Sequence, residues 1–532
     1  MFVFHYPYIS TKVPFVSRGI KWTIVKHLII FVLHTRAYLK KTLSVLFIPV
    51  IICVELSAQN FLGISSSSYS GIHGVFLNPA NSVDTRNKIY INLGAVGAEF
   101  QNNFITSNRP IALNSYRLRS VKRGNAYMNA DLRGPAVQIT LPEKAIGLSF
   151  GSRFRLFSSL NNTSSSVGNI IIGGTGNREI QNEQFLAERV DFNFGGYNEI
   201  YATFAQVIKN ERSYFLKGGI TLKKVSSNIS LSLKGSNLDY QVNPLPPFGA
   251  TQEVVFNNSA GSFFHARSGD FNLSLPWITR QLGSLNGVGN GFATDVGLVY
   301  EKRPDFARQN IRFKGDFMVN PLINKYTFRF GVSLTDIGFV RFSSSTNVEV
   351  GSGNGPLTVS EPIKFVKIIE TDRVVQNISN AYSITPSTYV RAFNVLMPAT
   401  LNIHADYLVR EGFYLSVVLR QFLLRKTRIG PIGFSGISVI PRFERKYLEV
   451  AFPISLDKDY STFNLGSTLR TGPFFVGLDN ITGLIRIGDP RGVSVHSGIS
   501  ISIGHKLQKN QELNCPSGGL FGDFEWKNLF KR

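Results

Sequence analysis

The chain has 532 residues, a formal net charge of +23 and only 17% charged side chains, against 12% aromatic residues that include 43 Phe. A soluble domain carries roughly 25% charged residues, so this balance argues against an ordinary soluble globule and for a surface that meets hydrocarbon. The mean hydropathy of +0.03 does not oppose this, because membrane strands alternate and their average stays moderate.

Residues 1–36 mix apolar pieces with Lys21, Lys26 and Arg36. They hold no unbroken run of about 20 apolar residues, so they make a poor transmembrane helix. Arg36, Lys40 and Lys41 then form a basic region, Leu43 to Val54 an apolar core, and Leu56-Ser57-Ala58 a small-residue exit. That order is the grammar of a secretory signal, with cleavage expected after Ala58. Residues 1–58 hold seven Lys and Arg and one Glu, which leaves +17 on the remainder. The excess is expected on loops and lumen. No basic helix with interleaved aromatics occurs, so nucleic acid is not an expected partner. Cys53 leaves with the signal, and Cys515 is then a lone thiol with no internal disulfide to make.

Residues 59–86 are Gly- and Ser-rich without a clean period and read as a plug or periplasmic segment. Strand candidates follow. They are Lys88 to Phe100, Ala126 to Thr140 with a bend or bulge at Gly134-Pro135, and Ala145 to Phe157, with Arg153 and Arg155 on its polar wall. Ser158 to Arg189 is polar and reads as a long loop. Tyr197 to Ile208 and Ser213 to Lys224 make a hairpin, and Ile229 to Leu233 and Leu238 to Val242 are shorter strands. Pro244 to Asn290 is broken by Pro, Gly and Asn, with Trp277 as a candidate interfacial anchor.

Gly291 to Leu334 carries the clearest pattern. Phe292, Thr294, Val296, Leu298 and Tyr300 share one parity, and Ala293, Asp295, Gly297 and Glu301 the other. Ile311, Phe313, Phe317 and Val319 alternate with Arg312, Lys314 and Asp316. Phe328, Phe330, Val332 and Leu334 alternate with Arg329, Gly331 and Ser333. Strand side chains point alternately to opposite faces, so each run has an aromatic-rich apolar wall and a polar one. This is the signature of a transmembrane β-strand, apolar toward lipid and polar toward a lumen. Asp336 to Phe342 reads as a further strand and Ser343 to Ala399 as the longest break. Strands resume at Leu401 to Arg410, Gly412 to Arg420, Gly433 to Pro441, Lys446 to Ile454, Thr462 to Leu469, Pro473 to Leu478 and Val493 to Lys506. The sum is an all-β, transmembrane antiparallel β-barrel of about 14 strands over 87–506, each close to the 9–11 residues a tilted strand needs. A polar tail, 507–532, is expected in the periplasm.

Gly74-Val75-Phe76-Leu77-Asn78-Pro79-Ala80 resembles the N-terminal segment of the FadL-like transporters and their PorV-like relatives in type IX secretion. There a Gly-rich stretch ending in Asn-Pro-Ala precedes the first strand and can fold into the lumen. With Gly291 to Tyr300, Ser333 to Gly338, Met397 to Asn402 and Gly472 to Asn480, the patches in their order resemble the DUF5723 family of Bacteroidetes outer-membrane proteins. The resemblance implies a FadL-like barrel and no activity. It marks Asn78, Pro79, Asp295, Asp336, Asp479 and Asn480 as structural positions.

No catalytic motif is defensible: there is no Gly-x-Ser-x-Gly, His-Glu-x-x-His or phosphate-binding loop, and no cofactor or metal site is expected. His404 and Asp406 share one face of a strand, where the carboxylate can hold the imidazole charged. Arg153, Arg155, Arg312 and Arg329 fall on polar walls. They either form a cationic lining that selects anions or pair with Asp295, Glu301 and Asp316 across strands. Two functions follow. One is FadL-like passage of a hydrophobic or amphipathic small molecule through the outer membrane. The other is a non-transporting barrel that serves an envelope machine through a protein partner, as a secretion shuttle or scaffold. An open general porin is the third reading.

Overall fold

The computed structural model describes residues 61–103, 105–107, 116–118, 123–164, 166–167, 184–211, 214–242, 254–256, 262–268, 286–304, 310–313, 316–321, 323–343, 348–354, 357–359, 392–424, 429–457, 462–482 and 492–505. The signal-like region, Trp277, Cys515 and the polar tail lie outside them.

Fourteen antiparallel staves form the wall: β1 (Asn87–Asn102), β2 (Gly124–Leu141), β3 (Ile146–Thr163), β4 (Gln184–Asn210), β5 (Tyr214–Val242), β6 (Gly289–Lys302) and β7 (Phe328–Phe342). Then follow β8 (Phe393–Leu396 and Thr400–Arg410), β9 (Phe413–Phe422), β10 (Gly436–Glu444), β11 (Leu448–Ala451 and Ile454–Asp457), β12 (Thr462–Leu465 and Ser467–Thr471), β13 (Phe474–Asn480) and β14 (Gly492–Gly504). Each stave pairs with its neighbour in sequence. β14 pairs with β1, Gly504 opposite Asn87 and Gly492 opposite Gln101. The sheet therefore closes and has no open edge, the condition for a sheet to stand in hydrocarbon.

The apolar parity of every stave faces outward. Leu148 and Phe150 on β3, Leu222 on β5, Phe292 and Leu298 on β6, Phe330 and Phe339 on β7, Val439 on β10, Leu469 on β12 and Ile501 on β14 are exposed, Phe292 by 68% and Leu222 by 63%. The opposite parity is polar and buried, as with Lys223, Asp295, Arg329, Asp406 and Arg442. A soluble β-protein inverts this arrangement, so the outward belt is the lipid-facing surface.

Several expectations change. Asn310–Phe313 pairs with Asp316–Val319 in a two-stranded sheet apart from the barrel. Four residues are too few to cross a bilayer, so Arg312 is not carried on the wall. The runs ending at Leu334 and starting at Asp336 are one strand, β7, paired to β6 through a register shift between Thr294 and Val296. A bulge flips the outward parity from Phe328, Phe330 and Val332 to Ile337 and Phe339. Read along the chain, that flip imitates a strand end. The bend expected at Gly134-Pro135 is a register shift between Arg133 and Ala136. β3 runs on to Thr163 and β4 begins at Gln184, so the loop read over Ser158 to Arg189 is shorter. The two short strands read after Lys224 belong to β5.

At 27 and 29 residues, β4 and β5 exceed the span of a bilayer and extend past the barrel's loop end. There Ser262–Ser268 pairs with β5 and Val348–Asn354 pairs with it in turn, while Val254–Phe256 pairs with Leu357–Val359. Both long breaks thus hold strands. At the other end, where residues 86 and 505 emerge, the connections Pro142–Lys144, 411–412 and 472–473 are short.

Candidate functional site

The polar wall faces residues 61–86, which run back inside the barrel. They form α1 (Leu62–Ser65), α2 (Ile72–Val75) and a 3-10 turn, Pro79–Ser82. Isolated helices of four residues do not persist, so the wall holds this segment in shape. Asn78 is its main fastener. Its Oδ1 accepts from Ala80 N at 3.0 Å and caps the turn. Its Nδ2 donates to the carbonyls of Leu298 on β6 and Val332 on β7, both at 3.1 Å. Two glycines permit the approach. A Cβ on Gly297 would lie 2.2 Å from Asn78 Oδ1, and one on Gly219 would lie 2.5 Å from the Pro79 carbonyl carbon. Pro79 opens the turn, where its missing N–H costs nothing.

Other bonds tie the segment to the rest of the circumference. Ser333 donates to Leu77 O at 2.6 Å, and Gln138 to Ser82 O at 3.1 Å. Ser82 and Ser149 share a bond of 2.7 Å. Ser67 donates to Glu449 at 2.9 Å, Ser68 N to Glu444 at 3.2 Å and Leu62 N to Asp479 at 3.3 Å. Phe61 is fully buried, with the Arg133 guanidinium 3.7 Å from its ring centre and the His73 and His496 rings at 5.4 and 4.9 Å. His73 Nδ1 meets Arg133 Nη1 at 2.8 Å. Burial first, and the Arg133 charge second, hold the His73 imidazole well below its ordinary range, so it is neutral and accepts from the arginine.

Behind this segment runs a belt of buried ion pairs. Asp131 on β2 holds Arg133 at 3.0 Å and Arg153 of β3 at 2.6 Å. Arg153 reaches Glu199 of β4 at 3.9 Å, and Glu199 binds Arg155. Arg155 makes a two-pronged pair with Asp336 of β7, both bonds at 2.7 Å. Lys223 of β5 joins Asp336 at 2.6 Å to Asp295 of β6 at 2.8 Å, and Asp295 Oδ1 accepts from Asp336 N at 2.7 Å. Asp336 has φ 58°, a left-handed conformation fixed at the bulge, so one carboxylate closes the wall and neutralises two cations. Further round, Arg329 meets Glu301 at 3.0 Å, Arg442 meets Asp406 and Glu444 at 3.0 Å each, and Arg470 meets Glu449 at 3.0 Å.

These pairs decide between the two readings of the polar-wall arginines. Arg153, Arg155 and Arg329 do not form a free cationic lining; each is bonded to a carboxylate. His404 and Asp406 are not a bonded pair. Asp406 is taken by Arg442, by Ser416 at 2.7 Å and by Tyr326 at 2.5 Å. Neither ring nitrogen of His404 has a hydrogen-bond partner among the described residues, although the ring is buried. It packs where Gly331 leaves room, 2.2 Å from the place a Cβ would occupy. Asp479 accepts from the inner segment and faces His496 Nδ1 at 3.4 Å. Asn480 accepts from Thr482 N and Oγ1 at 3.0 and 2.6 Å. Sequence reading passes over Asp131, Arg133, Glu199, Lys223, Arg303, Arg442 and Glu444. A signal is present: Asp131 and Arg133, Glu301 and Arg303, and Arg442 and Glu444 are opposite charges two residues apart on the inward parity.

Toward the loop end one arc of the inner wall, on β3 to β8, turns apolar, while Glu99 of β1 and the Arg420–Asp457 pair of β9 and β11 keep charge at that end of the other arc. Phe157, Tyr197, Val225, Ala293, Val340, Phe342, Phe393, Val395 and Met397 form one buried cluster, with the Phe342 and Phe393 rings stacked at 4.8 Å.

A closed antiparallel barrel with a lipid-facing apolar belt, an ion-paired inner wall and a segment packed within its lumen is an outer-membrane β-barrel. The chain belongs to the family described as "Family of unknown function (DUF5723)", whose model matches residues 79–479. The curated proteins contain no match. Among solved structures, the chain is similar to a TodX monoaromatic hydrocarbon channel mutant, with 10% identity, TM-score 0.38 and coverage of 85% of this chain and 98% of that one. It is likewise similar to the CymD monoaromatic hydrocarbon channel, with 10% identity, TM-score 0.30 and coverage of 84% and 100%. Similarities this low say nothing of what this barrel carries.

Proposed function

We propose that the barrel passes a hydrophobic or amphipathic small molecule across the outer membrane, with residues 61–86 acting as the plug of its periplasmic half. The observation that supports this is the division of the inner wall. A solute arriving from the loop end along the arc of β3 to β8 meets Phe157, Val340 and Phe342, and an apolar wall favours an apolar solute. The short turns at 142–145, 411–412 and 472–473 on the side of the chain termini favour a periplasmic position for that side, 303–327 being its one long connection among the staves, since barrels of this class keep short periplasmic turns and longer outer loops. Mature protein purified from outer membranes and stripped into a defined lipid-free detergent is expected to release a fatty acid or similar amphipath to mass spectrometry. The Phe342→Arg variant is expected to release less. A wild-type lumen that yields no amphipath, and that no added fatty acid enters, would sink this reading.

A second reading draws on the plug's attachment to staves right round the barrel, which suits a fixed body that docks a protein partner. Stable capture of one envelope protein from native membranes, with no ligand in the lumen, favours it. In either case a lumen occupied by residues 61–86 argues against a general porin, and planar bilayers should show little steady ion conductance. Export through a signal cleaved after Ala58 belongs to the same proposal. Mass spectrometry of the mature chain is expected to find Gln59 first.

A further inference from the structure

At the terminal end of the lumen a cavity of about 30 Å³ lies between the inner segment and the staves β5 to β7. An ordered water or a monoatomic ion occupies a space of this order. Among the described residues four cations line it, Arg86, Lys217, Lys325 and Arg329, against two carboxylates, Asp84 and Glu301. Both carboxylates are already shared. Asp84 pairs with Lys325 and Arg303. Glu301 pairs with Arg303, with Arg329 at 3.0 Å and with Lys217 at 3.4 Å. Arg303 thus brings a fifth cation to the same two acids, and its Nη1 is buried without a partner among the described residues. The adjacent carboxylates, Asp406 and Glu444, are both bonded to Arg442. Counting all three raises the tally among the described residues to six cations and four carboxylates. Arg86 donates to Tyr69 Oη at 3.1 Å and lies over that ring at 5.2 Å. It makes no ion pair with a carboxylate among the described residues, and Glu444 acts on it only through space.

A surplus of two positive charges in a mostly buried cluster is unfavourable unless something neutralises it. Water filling the cavity supplies no charge. We propose that this cavity is an anion site that takes one monovalent anion of chloride size, held by Arg86, Lys217 and Arg329. The anion touches the inner segment through Arg86 and the wall through Lys217 of β5 and Arg329 of β7. It therefore ties the segment to two staves and stabilises the folded barrel in proportion to its occupancy. The proposal concerns the terminal end alone and does not depend on what, if anything, the barrel transports.

Bromide is the probe. The mature barrel in detergent is unfolded thermally in sodium bromide and in sodium gluconate of equal ionic strength. The expected result is a rise in Tm that saturates with bromide and is missing in gluconate. A bromide-soaked crystal should show an anomalous peak among Arg86, Lys217 and Arg329. The Arg86→Gln variant is expected to lose most of the bromide response. In gluconate it should unfold at the same or a higher temperature than the native chain, because a surplus charge has gone. Lys325→Met, if it folds, should behave alike. An equal bromide response in Arg86→Gln and the native chain, or a crystal with no peak in the cavity, would overturn the proposal. So would an Arg86→Gln barrel less stable than the native one in gluconate.

Discussion

On the inner face of β7, Arg329 and Ser333 lie toward the terminal end and Val340 and Phe342 toward the loop end. The first two hold Glu301 and the Leu77 carbonyl; the last two join an apolar cluster. One strand therefore carries two interiors. In the terminal half the buried charges bond to partners on another stave or on the inner segment, several cations sharing one carboxylate, and the parts are fixed by directional bonds. On the loop-end arc that holds Val340 and Phe342 the contacts are dispersion and apolar burial, which fix volume more than orientation. A charged lining can be dry and closed, while an apolar lining adapts to what fills it. The lesson is that the polar parity of a barrel strand does not imply a water-filled channel. Over the described interior as a whole the buried carboxylates are about as numerous as the buried Lys and Arg, so most of the chain's positive excess lies outside it, the surplus at the terminal-end cavity apart.

The comparison can be broken most severely at Asp336. Asp336→Ala leaves Arg155 and Lys223 buried with one acid fewer between them. Breaking a buried pair from one side costs about 3–5 kcal/mol, so heat-shifted electrophoresis and thermal unfolding in detergent should show a barrel that folds poorly. The equivalent change at the loop end, Val340→Ala, should be milder on the same gel. Placing charge on the lipid face comes next. Leu222→Arg, at a position 63% exposed, should cost about 2–4 kcal/mol if it sits at the bilayer midplane, read as a shifted urea midpoint for folding into liposomes. No loss at all would mean that the outward belt is not in lipid.

A smaller effect tests the inner segment alone. Asn78→Ala removes the turn cap and the two bonds to Leu298 and Val332, worth roughly 1–2 kcal/mol. The barrel should still fold, with more frequent current bursts in planar bilayers as the segment loosens. Unchanged current would show that the other tethers suffice. The smallest expected effect is a pH dependence at His73. Its folded pKa is depressed, so below about pH 6.5 the unfolded chain binds a proton that the folded chain resists. Stability is then fully present above that pH and declines as pH falls through it. His73→Phe should flatten the decline, seen as Tm across pH 5 to 8.

Much of the wall is legible in the order of the residues, because the lipid face must be apolar and the strand period is two. Phe292, Leu298 and Phe330 declare their side of the sheet without reference to any partner. Bulges break that rule: the parity flip beside Asp336 looks like a strand end, and Ile311 to Val319 alternates convincingly without entering the wall. Local pattern reports which face a residue shares with its neighbours, not which strand its backbone bonds to.

The candidate site is legible only in part. Arg153, Arg155, Arg329 and Asp295 stand on polar parity, and Asn78-Pro79 marks a turn. Their partners are hidden, since Arg155 finds Asp336 across 181 positions and Asn78 finds Val332 across 254. His404 and Asp406, two apart on one face, are reasonable mates in one dimension. In three, Asp406 turns to Arg442 on β10 and leaves the ring to pack against Gly331. The sequence by itself determined a closed, lipid-facing barrel of about fourteen strands, because alternation and strand length are local properties. Only the tertiary structure decided that its buried charges bond to one another and that residues 61–86 lie among them, because closing the sheet is what brings distant staves within bonding range.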